Sequence, residues 1–461
     1  MIQILALFLG FFLSYKIFIN RGNYLSLLWV LIPLILINGT IVITNFPLKM
    51  PITRWLIFSL LFTHLYEWKK MQFNWRVFPL KSVTIFLIVS SLLIGLLDPR
   101  LSLFDKLYVP FRGDIISTYF ILFLGYVTIS NNKDIYRLAK PLCYTMIIVG
   151  LYGIFNFVTK SNPYYEFVLN NFFQGGEADL NTKLKVLDGT IDRYRASSTF
   201  NMTFNYGYVS SLVGVFLLFI SSVIKKNKLV YMGIAMALLG AIICFSRTVL
   251  IACLFAVATY MLLAFKAKKI FVGVFTFILL INLGYFSVPP VQKSIDNILD
   301  VFVTGGEKTS GSSVSMRETQ MFGAYNYFLQ QPIRGNGYEY IAKELGWGDR
   351  DNAVLDSDMY GFESILYVWL IEQGLIGLIS KITFFIVIIA FLISANKAGN
   401  KKIASLGLAM IFLFLMFSVG TGALGAWPLT MLFLGVIIKT IQINNNKNKR
   451  HNEIFNRHTR I

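Results

Sequence analysis

The hydrophobic pattern of this chain is a series of long apolar runs separated by polar turns rich in lysine and arginine. Because a membrane-spanning helix needs ~20 mostly apolar residues, each run is a candidate span. The runs cover residues 2–19, 24–45, 52–66, 82–97, 114–130, 141–159, 205–223, 229–246, 248–265, 270–288, 374–395, 403–419 and 429–443. The pattern therefore predicts an all-α polytopic integral membrane protein with about 12–14 transmembrane helices.

Two of these runs differ from the rest. The run 52–66 is the weakest candidate because it is short and carries Arg54. No small-residue cleavage site follows the run 2–19, so we expect that run to be an anchor and not a removed signal peptide.

Composition and charge agree with a membrane protein. Hydrophobic residues make up 56% of the chain and charged residues 14%, whereas about a quarter of the residues in a soluble domain are charged. If successive loops are assigned alternately to the two sides of the membrane, one set of loops holds 24 of the 42 basic residues but only three of the 23 acidic residues. The positive-inside rule places that set in the cytoplasm. The basic charge thus reflects topology and attraction to anionic membrane lipids, and it predicts no nucleic-acid partner.

The same charge pattern divides the chain into membrane parts and two large extracytoplasmic loops. The segments are N-terminal transmembrane helices in 1–159, the first loop in 160–204, central helices in 205–288, the second loop with an amphipathic segment in 289–373, C-terminal helices in 374–443 and a cytoplasmic tail in 444–461. Aromatic residues in both loops suit either stacking on sugar rings or a belt at the membrane interface. Because the cytoplasmic turns are short, we expect function to reside in the loops.

Several kinds of enzyme chemistry are excluded by residue type. The histidines are His64, in a predicted span, and His451 and His458, in the cytoplasmic tail. A histidine base or a histidine metal site in the loops is therefore excluded. Neither a phosphate-binding P-loop nor a dinucleotide-binding glycine pattern occurs in the sequence. We predict no metal and no cofactor.

Three arginines are predicted at the extracytoplasmic boundary. Arg247 lies in FSRT, the break in the apolar stretch 229–265, where a tight hairpin would hold it at or just below the surface. Arg195 ends the first loop and Arg317 lies in the second. Guanidinium groups match phosphate oxygens with a fork of donors, so the three together indicate a phosphate or pyrophosphate site. The alternative for Arg247 is contact with lipid headgroups or a structural carboxylate.

Two glutamates interrupt the apolar stretch GFESILYVWLIEQGLIG at 361–377. On one continuous helix Glu363 and Glu372 would project from opposite sides, ~13 Å apart along the axis, which does not suit a glycosidase-type pair. A span counted back from the next polar turn begins near Gly374, so we expect Glu372 to be a structural carboxylate at the interface. Glu363 is a candidate general base, with a structural ion pair as the alternative. Lys381 is expected to snorkel outward.

Four short motifs between residues 190 and 385 resemble those of one bacterial family. Glu363-Ser364, nine residues, and then Gly374 and Gly377 match a pattern in which a loop histidine stands where this chain has glutamate. The other motifs are RASSTFNMTFNYG at 195–207, SRTVLIA at 246–252 and QPIRGNGYEY at 331–340. In their order and spacing they resemble the O-antigen polymerase and O-antigen ligase superfamily of polytopic glycosyltransferases.

The resemblance implies a GT-C-like membrane glycosyltransferase in the bacterial cytoplasmic membrane, with its active site facing the periplasm or the cell exterior. Because the ligase branch carries the loop histidine, the glutamate favours a polymerase of O-antigen, capsule or exopolysaccharide repeat units. The implied donor and acceptor are undecaprenyl-pyrophosphate-linked oligosaccharides, and the implied protein partners are a chain-length regulator and a flippase. Arg195, Arg247 and Arg317 would bind the pyrophosphate, and Glu363 would act as the base in an inverting transfer.

Two other functions stay open. A ligase would transfer the glycan to lipid A core or to a protein. A lipid-linked sugar flippase or exporter would need functional charges along a path across the membrane. The cytoplasmic halves of the predicted spans are almost uncharged, which disfavours transport.

Overall fold

The computed structural model of the protein is a bundle of α-helices. It describes residues 2–37, 41–44, 50–172, 195–223, 227–266, 286, 292, 296, 314–345, 362–421 and 427–458. The helices before the first loop are α1 Ile2–Ile19, α2 Tyr24–Leu36, α3 Ile52–Tyr66, α4 Trp68–Val77, α5 Lys81–Leu97, α6 Leu103–Pro110, α7 Ile121–Thr128, α8 Asn132–Thr159 and α9 Pro163–Phe172. A π-helix, Phe111–Phe120, joins α6 to α7. The later helices are α10 Thr203–Val223, α11 Lys228–Ile243, α12 Arg247–Ala264, α13 Val314–Gln330, α14 Tyr340–Lys343, α15 Ile365–Lys397, α16 Lys401–Gly420 and α17 Trp427–His458.

The length and apolar character of these helices confirm a polytopic membrane protein. Among the described residues, seven helices are long and apolar enough to cross a membrane, counting α6, the π-helix and α7 as one. The helices α4 and α5 form an additional pair, bent by 107°. Apart from Phe286, the span predicted over 270–288 lies outside the described residues. The total of 12–14 spans stays a prediction.

The helix predicted over 24–45 is wrong in its second half. The helix α2 ends at Leu36, and a short strand β1, Val42–Thr44, pairs antiparallel with β2, Met50–Pro51. The β-branched run from Ile41 to Thr44 favours a strand over a helix, which explains the difference. The all-α fold class is confirmed, and the two short strands, five residues in all, belong to a connection between helices.

Small residues let two central helices approach closely. A Cβ atom added to Gly435 on α17 would lie 2.1 Å from the carbonyl oxygen of Leu122 on α7, and one added to Gly125 would lie 2.3 Å from that of Leu432. Such close backbone contact is typical of helix packing in membranes, where van der Waals contact replaces the hydrophobic driving force. All eight residues of α7 are buried, so this contact lies inside the bundle.

Lys381 is buried, and the expectation that it snorkels outward is wrong. Its Nζ lies 3.2 Å from Oδ2 of Asp114, a residue of the π-helix, and 5.2 Å from the ring centre of Trp369. The same Oδ2 accepts hydrogen bonds from Gln373 Nε2 at 3.1 Å and from Tyr338 Oη at 3.0 Å. A nearby carboxylate replaces the water that the ammonium group would otherwise seek. This pair joins α15 to the π-helix.

Breaking this pair on one side should destabilise the protein. Lys381→Met leaves Asp114, which is 17% exposed, without its cation, so we expect the free energy of unfolding to fall by about 3 kcal/mol. The double variant Lys381→Met/Asp114→Asn removes both charges and should recover part of the loss. Thermal unfolding in detergent measures both, with exposed Lys397→Met in the last turn of α15 as the control. Equal unfolding midpoints for Lys381→Met and Lys397→Met would contradict a stabilising role for the pair.

Candidate functional site

Arg317 and Glu363, predicted from separate parts of the second loop, form an ion pair. Arg317 lies in the first turn of α13, and Glu363 lies two residues before α15. The Nη2 atom of Arg317 is 3.5 Å from Oε2 of Glu363, and the side chains are 41% and 36% exposed. Because a charge-assisted hydrogen bond is ~2.7–2.9 Å long, this contact is loose. A ligand can therefore compete for either charge.

The backbone of Glu363 is held firmly although its carboxylate is partly exposed. Its N–H donates to Oε1 of Gln320 at 2.9 Å, and Gln320 is fully buried one turn after Arg317 on α13. Phe362 is also fully buried, in an apolar cluster that includes Ala324 of the same helix. One helix thus positions both members of the ion pair.

Arg247 begins α12 beside this pair. The Nη2 atom of Arg317 also approaches the carbonyl oxygen of Gly420, at the end of α16, at 3.5 Å. Gly420 packs against Thr248, since a Cβ atom added to it would lie 2.3 Å from Thr248 Cγ2. Thr248, the residue after Arg247, thus contacts Gly420, and the carbonyl oxygen of Gly420 approaches Arg317.

Arg195 lies on a neighbouring segment. The N–H of the next residue, Ala196, donates to the carbonyl of Ile243 at 3.3 Å, where α11 ends. Asn162 donates from Nδ2 to Ser197 Oγ at 2.8 Å and so fixes the same segment. We use the name arginine end for the part of the bundle formed by residues 195–198, 243–248, 317–320, 362–364 and 418–421. The structure thus joins Arg317 to Glu363 directly and places Arg195 and Arg247 on adjoining backbone segments.

The helix α15 is interrupted at Gly374. This residue has φ of 57° and ψ of −156°, a conformation that is essentially limited to glycine. Residues 332–337 form hydrogen bonds with the backbone at the break. The N–H of Gly337 donates to the carbonyl of Glu372 at 2.9 Å, and the N–H of Leu375 donates to the carbonyl of Pro332 at 2.9 Å. The QPIRGNGYEY motif is therefore a backbone clasp around this break.

A cavity of about 480 Å³ lies beside the interrupted helix. Its charged lining residues are Arg54, Arg112, Asp114, Glu339 and Glu372. Trp369 and Trp427 also line it, with their ring centres 5.5 Å apart. The hydrophobic pattern does not predict this site. Arg54 lies in the apolar run 52–66, where the pattern indicates only a weak membrane span. An arginine in the first turn of an apolar run is the signal by which it could have been found.

Ion pairs and hydrogen bonds organise one side of the cavity. Arg112 forms an ion pair with Glu339, and Nζ of Lys343 lies 3.0 Å from Oε2 of the same glutamate. Burial and the carboxylate of Asp114 raise the pKa of the Tyr338 phenol well above its usual range. Tyr338 is therefore a neutral hydrogen-bond donor at any physiological pH.

Comparison with known proteins agrees with the motifs. Residues 232–382 match the family described as O-antigen ligase. The match covers about a third of the chain and includes Arg247, Arg317 and Glu363, whereas Arg195 precedes it. No curated protein shows significant sequence similarity to the chain. The match confirms the resemblance to the O-antigen ligase and polymerase superfamily, and with the apolar helices it indicates a multi-pass membrane enzyme of O-antigen or related polysaccharide assembly.

A side chain at the helix break should disrupt this region. A Cβ atom on Gly374 would lie 2.4 Å from the backbone nitrogen of Gly335, so we expect Gly374→Ala to lower the free energy of unfolding by about 2 kcal/mol or more. Thermal unfolding measures the loss. Gly113→Ala is the control for stability, since its added Cβ would meet nothing within 4 Å. If both alanine variants unfold at the same temperature, the break does not depend on glycine.

Proposed function

We propose that this protein polymerises undecaprenyl-pyrophosphate-linked oligosaccharide repeat units by inverting glycosyl transfer on the outer side of the bacterial cytoplasmic membrane. The ion pair of Arg317 and Glu363 is the observation that carries this proposal. It combines a group that can accept a proton with a group that can bind phosphate. Glycosyl transfer from a lipid diphosphate needs both.

The proposed reaction exchanges one bond to the anomeric carbon for another. The acceptor hydroxyl oxygen forms a bond to the anomeric carbon of the donor as the bond from that carbon to the pyrophosphate oxygen breaks. The electron pair leaves with undecaprenyl pyrophosphate, and the hydroxyl proton passes to Glu363. Attack opposite the leaving group inverts the configuration. The activated diphosphate supplies the driving force, so the step needs no nucleotide.

The loose contact between Arg317 and Glu363 supports these roles. An arriving pyrophosphate offers the guanidinium several acceptor oxygens with more charge than one carboxylate carries. Arg317 would turn to the pyrophosphate and leave Glu363 free to accept the proton. Arg195 and Arg247, on adjoining segments of the arginine end, would stabilise the negative charge that develops on the leaving group.

Transfer to a different acceptor is the second candidate function, and the match to the family described as O-antigen ligase is equally compatible with it. A ligase would use the same donor and pass its glycan to lipid A core or to a protein. The glutamate at the position of the ligase histidine favours the polymerase.

Removing the proton acceptor should abolish polymerisation. Glu363→Gln keeps the size and hydrogen-bonding capacity of the side chain but lacks the basic carboxylate, so we expect the rate to fall ~100-fold or more. The measurement is the formation of a glycan ladder by purified protein from a defined lipid-linked repeat unit, without nucleotide. Glu318→Gln, an exposed glutamate next to Arg317, is the matched control. Normal ladders from Glu363→Gln would remove Glu363 as the base.

The choice of acceptor separates the two candidate functions. A polymerase should form ladders when the lipid-linked repeat unit is the sole substrate. A ligase should leave that substrate unchanged and form a single product when lipid A core is added. Gel separation of the glycans reads both outcomes, and a product that requires lipid A core would overturn the polymerase proposal.

A further inference from the structure

The cavity beside α15 has a basic part and an acidic part. Arg54 and Arg112 are close enough to repel each other. Asp114 and Glu372 supply carboxyl groups to its lining. The volume of about 480 Å³ lies within the range of roughly 300–1,000 Å³ that small-molecule sites occupy. The cavity therefore suits a ligand with an anionic end and a polar neutral end.

Arg54 forms no ion pair within the described part of the chain, and Glu339 attracts it only from beyond ion-pair distance. Glu339 already pairs with Arg112 and Lys343, and no described carboxylate lies within ion-pair distance of Arg54. The chain has no acidic residue before Glu67, so the sequence neighbours of Arg54 offer none either. A half-buried guanidinium beside a cavity in a membrane protein favours an anionic ligand.

The other lining residues suit a sugar. The carboxyl group of Glu372 accepts the backbone N–H of Ile341 through Oε1 at 3.2 Å, and its other oxygen can hydrogen-bond to a sugar hydroxyl. Trp369 and Trp427 give the cavity an apolar wall. One face of a sugar ring consists mainly of C–H groups, so it can pack against an aromatic wall while the hydroxyls reach the carboxylate.

We propose that this cavity binds the phosphate-bearing head group of the second lipid-linked repeat unit, the acceptor, with its phosphate at Arg54 and Arg112 and its first sugar against Trp369. This inference rests on the proposed function, because a polymerase must hold two lipid diphosphates at once. The arginine end accounts for the donor. The separate cavity beside α15, through Arg54 and Arg112, accounts for the acceptor.

The position of the cavity relative to Glu363 suits this role. Trp369 lies four residues into α15, ~6 Å along the helix axis, and Glu363 lies two residues before that helix begins. An oligosaccharide of a few sugars spans that distance. An acceptor bound by its phosphate in the cavity can thus present a hydroxyl to the base.

Counting bound lipids by native mass spectrometry tests the proposal without turnover. The full-length protein in detergent is titrated with undecaprenyl pyrophosphate, and the wild type should bind two equivalents. Arg54→Gln and Arg317→Gln should each weaken the binding of one equivalent at least tenfold, and the double variant should weaken the binding of both. Arg76→Gln, an exposed arginine of α4, is the control and should retain two.

A second variant covers the case in which Arg54→Gln does not fold. Ser117 lines the cavity, so Ser117→Phe should fill it and remove the same equivalent without changing a charge. Two equivalents of unchanged affinity in either folded variant would overturn the proposal. A second arm adds phosphatidylglycerol at the same concentration. If it displaces the equivalent that depends on Arg54, the cavity is an ordinary phospholipid site and the acceptor assignment fails.

The proposed function can fail independently of this inference. Binding of undecaprenyl pyrophosphate requires neither Glu363 nor glycosyl transfer. If Arg54→Gln binds one equivalent fewer while Glu363→Gln forms normal ladders, Glu363 is not the base but the cavity remains a lipid diphosphate site. Loss of ladders in Glu363→Gln with both equivalents unaffected in Arg54→Gln would retain the polymerase and refute the acceptor site.

Discussion

The interruption of α15 at Gly374 determines where the lining of the cavity beside that helix lies. A helix that breaks in an apolar environment leaves backbone N–H and C=O groups without partners, which costs several kcal/mol for each group in a membrane. Residues 332–337 supply those partners, for example through the N–H of Asn336, which donates to the carbonyl of Ile371 at 2.8 Å. The short helix before the break is thereby fixed. Its residues Trp369 and Glu372 line a cavity.

The π-helix makes the second contribution to this arrangement. It carries both Arg112 and Asp114, and π-helical segments occur frequently at functional sites because they leave the regular side-chain spacing of an α-helix. Asp114 accepts hydrogen bonds from Tyr338, Gln373 and Lys381, and thus connects the π-helix to the clasp and to both sides of the break. The cavity wall is therefore a single cross-linked unit, although its parts are far apart in sequence.

Local patterning predicted much of the fold, because helix formation in a membrane depends on apolar runs and polar turns. The run 52–66 is α3, and the hairpin that places Arg247 at a helix start is present. Partnerships over long distances could not be predicted in the same way. Asp114 and Lys381 are 267 residues apart, and nothing in either local sequence identifies the other. Without its partner, Lys381 has the pattern of a snorkelling lysine. The cavity at Arg54 was missed for the same reason, since its lining comes from six separate parts of the chain.

The burial and distance of each ion pair distinguish a pair that stabilises the fold from a pair whose charges are accessible to a ligand. Lys381 is 2% exposed and its partner Asp114 has further hydrogen bonds, so exchange with a ligand would leave buried charge unpaired. The contact between Arg317 and Glu363 is longer and both side chains are more than a third exposed, so solvent already competes with it. Separating that pair costs little, as the proposed exchange with a diphosphate requires, and the backbone hydrogen bond to Gln320 keeps Glu363 in place. On α13, Gln320 is fully buried and holds the backbone of Glu363, whereas the side chain of Arg317 is 41% exposed. The buried contact fixes the position of the pair, and the exposed contact leaves its charges accessible.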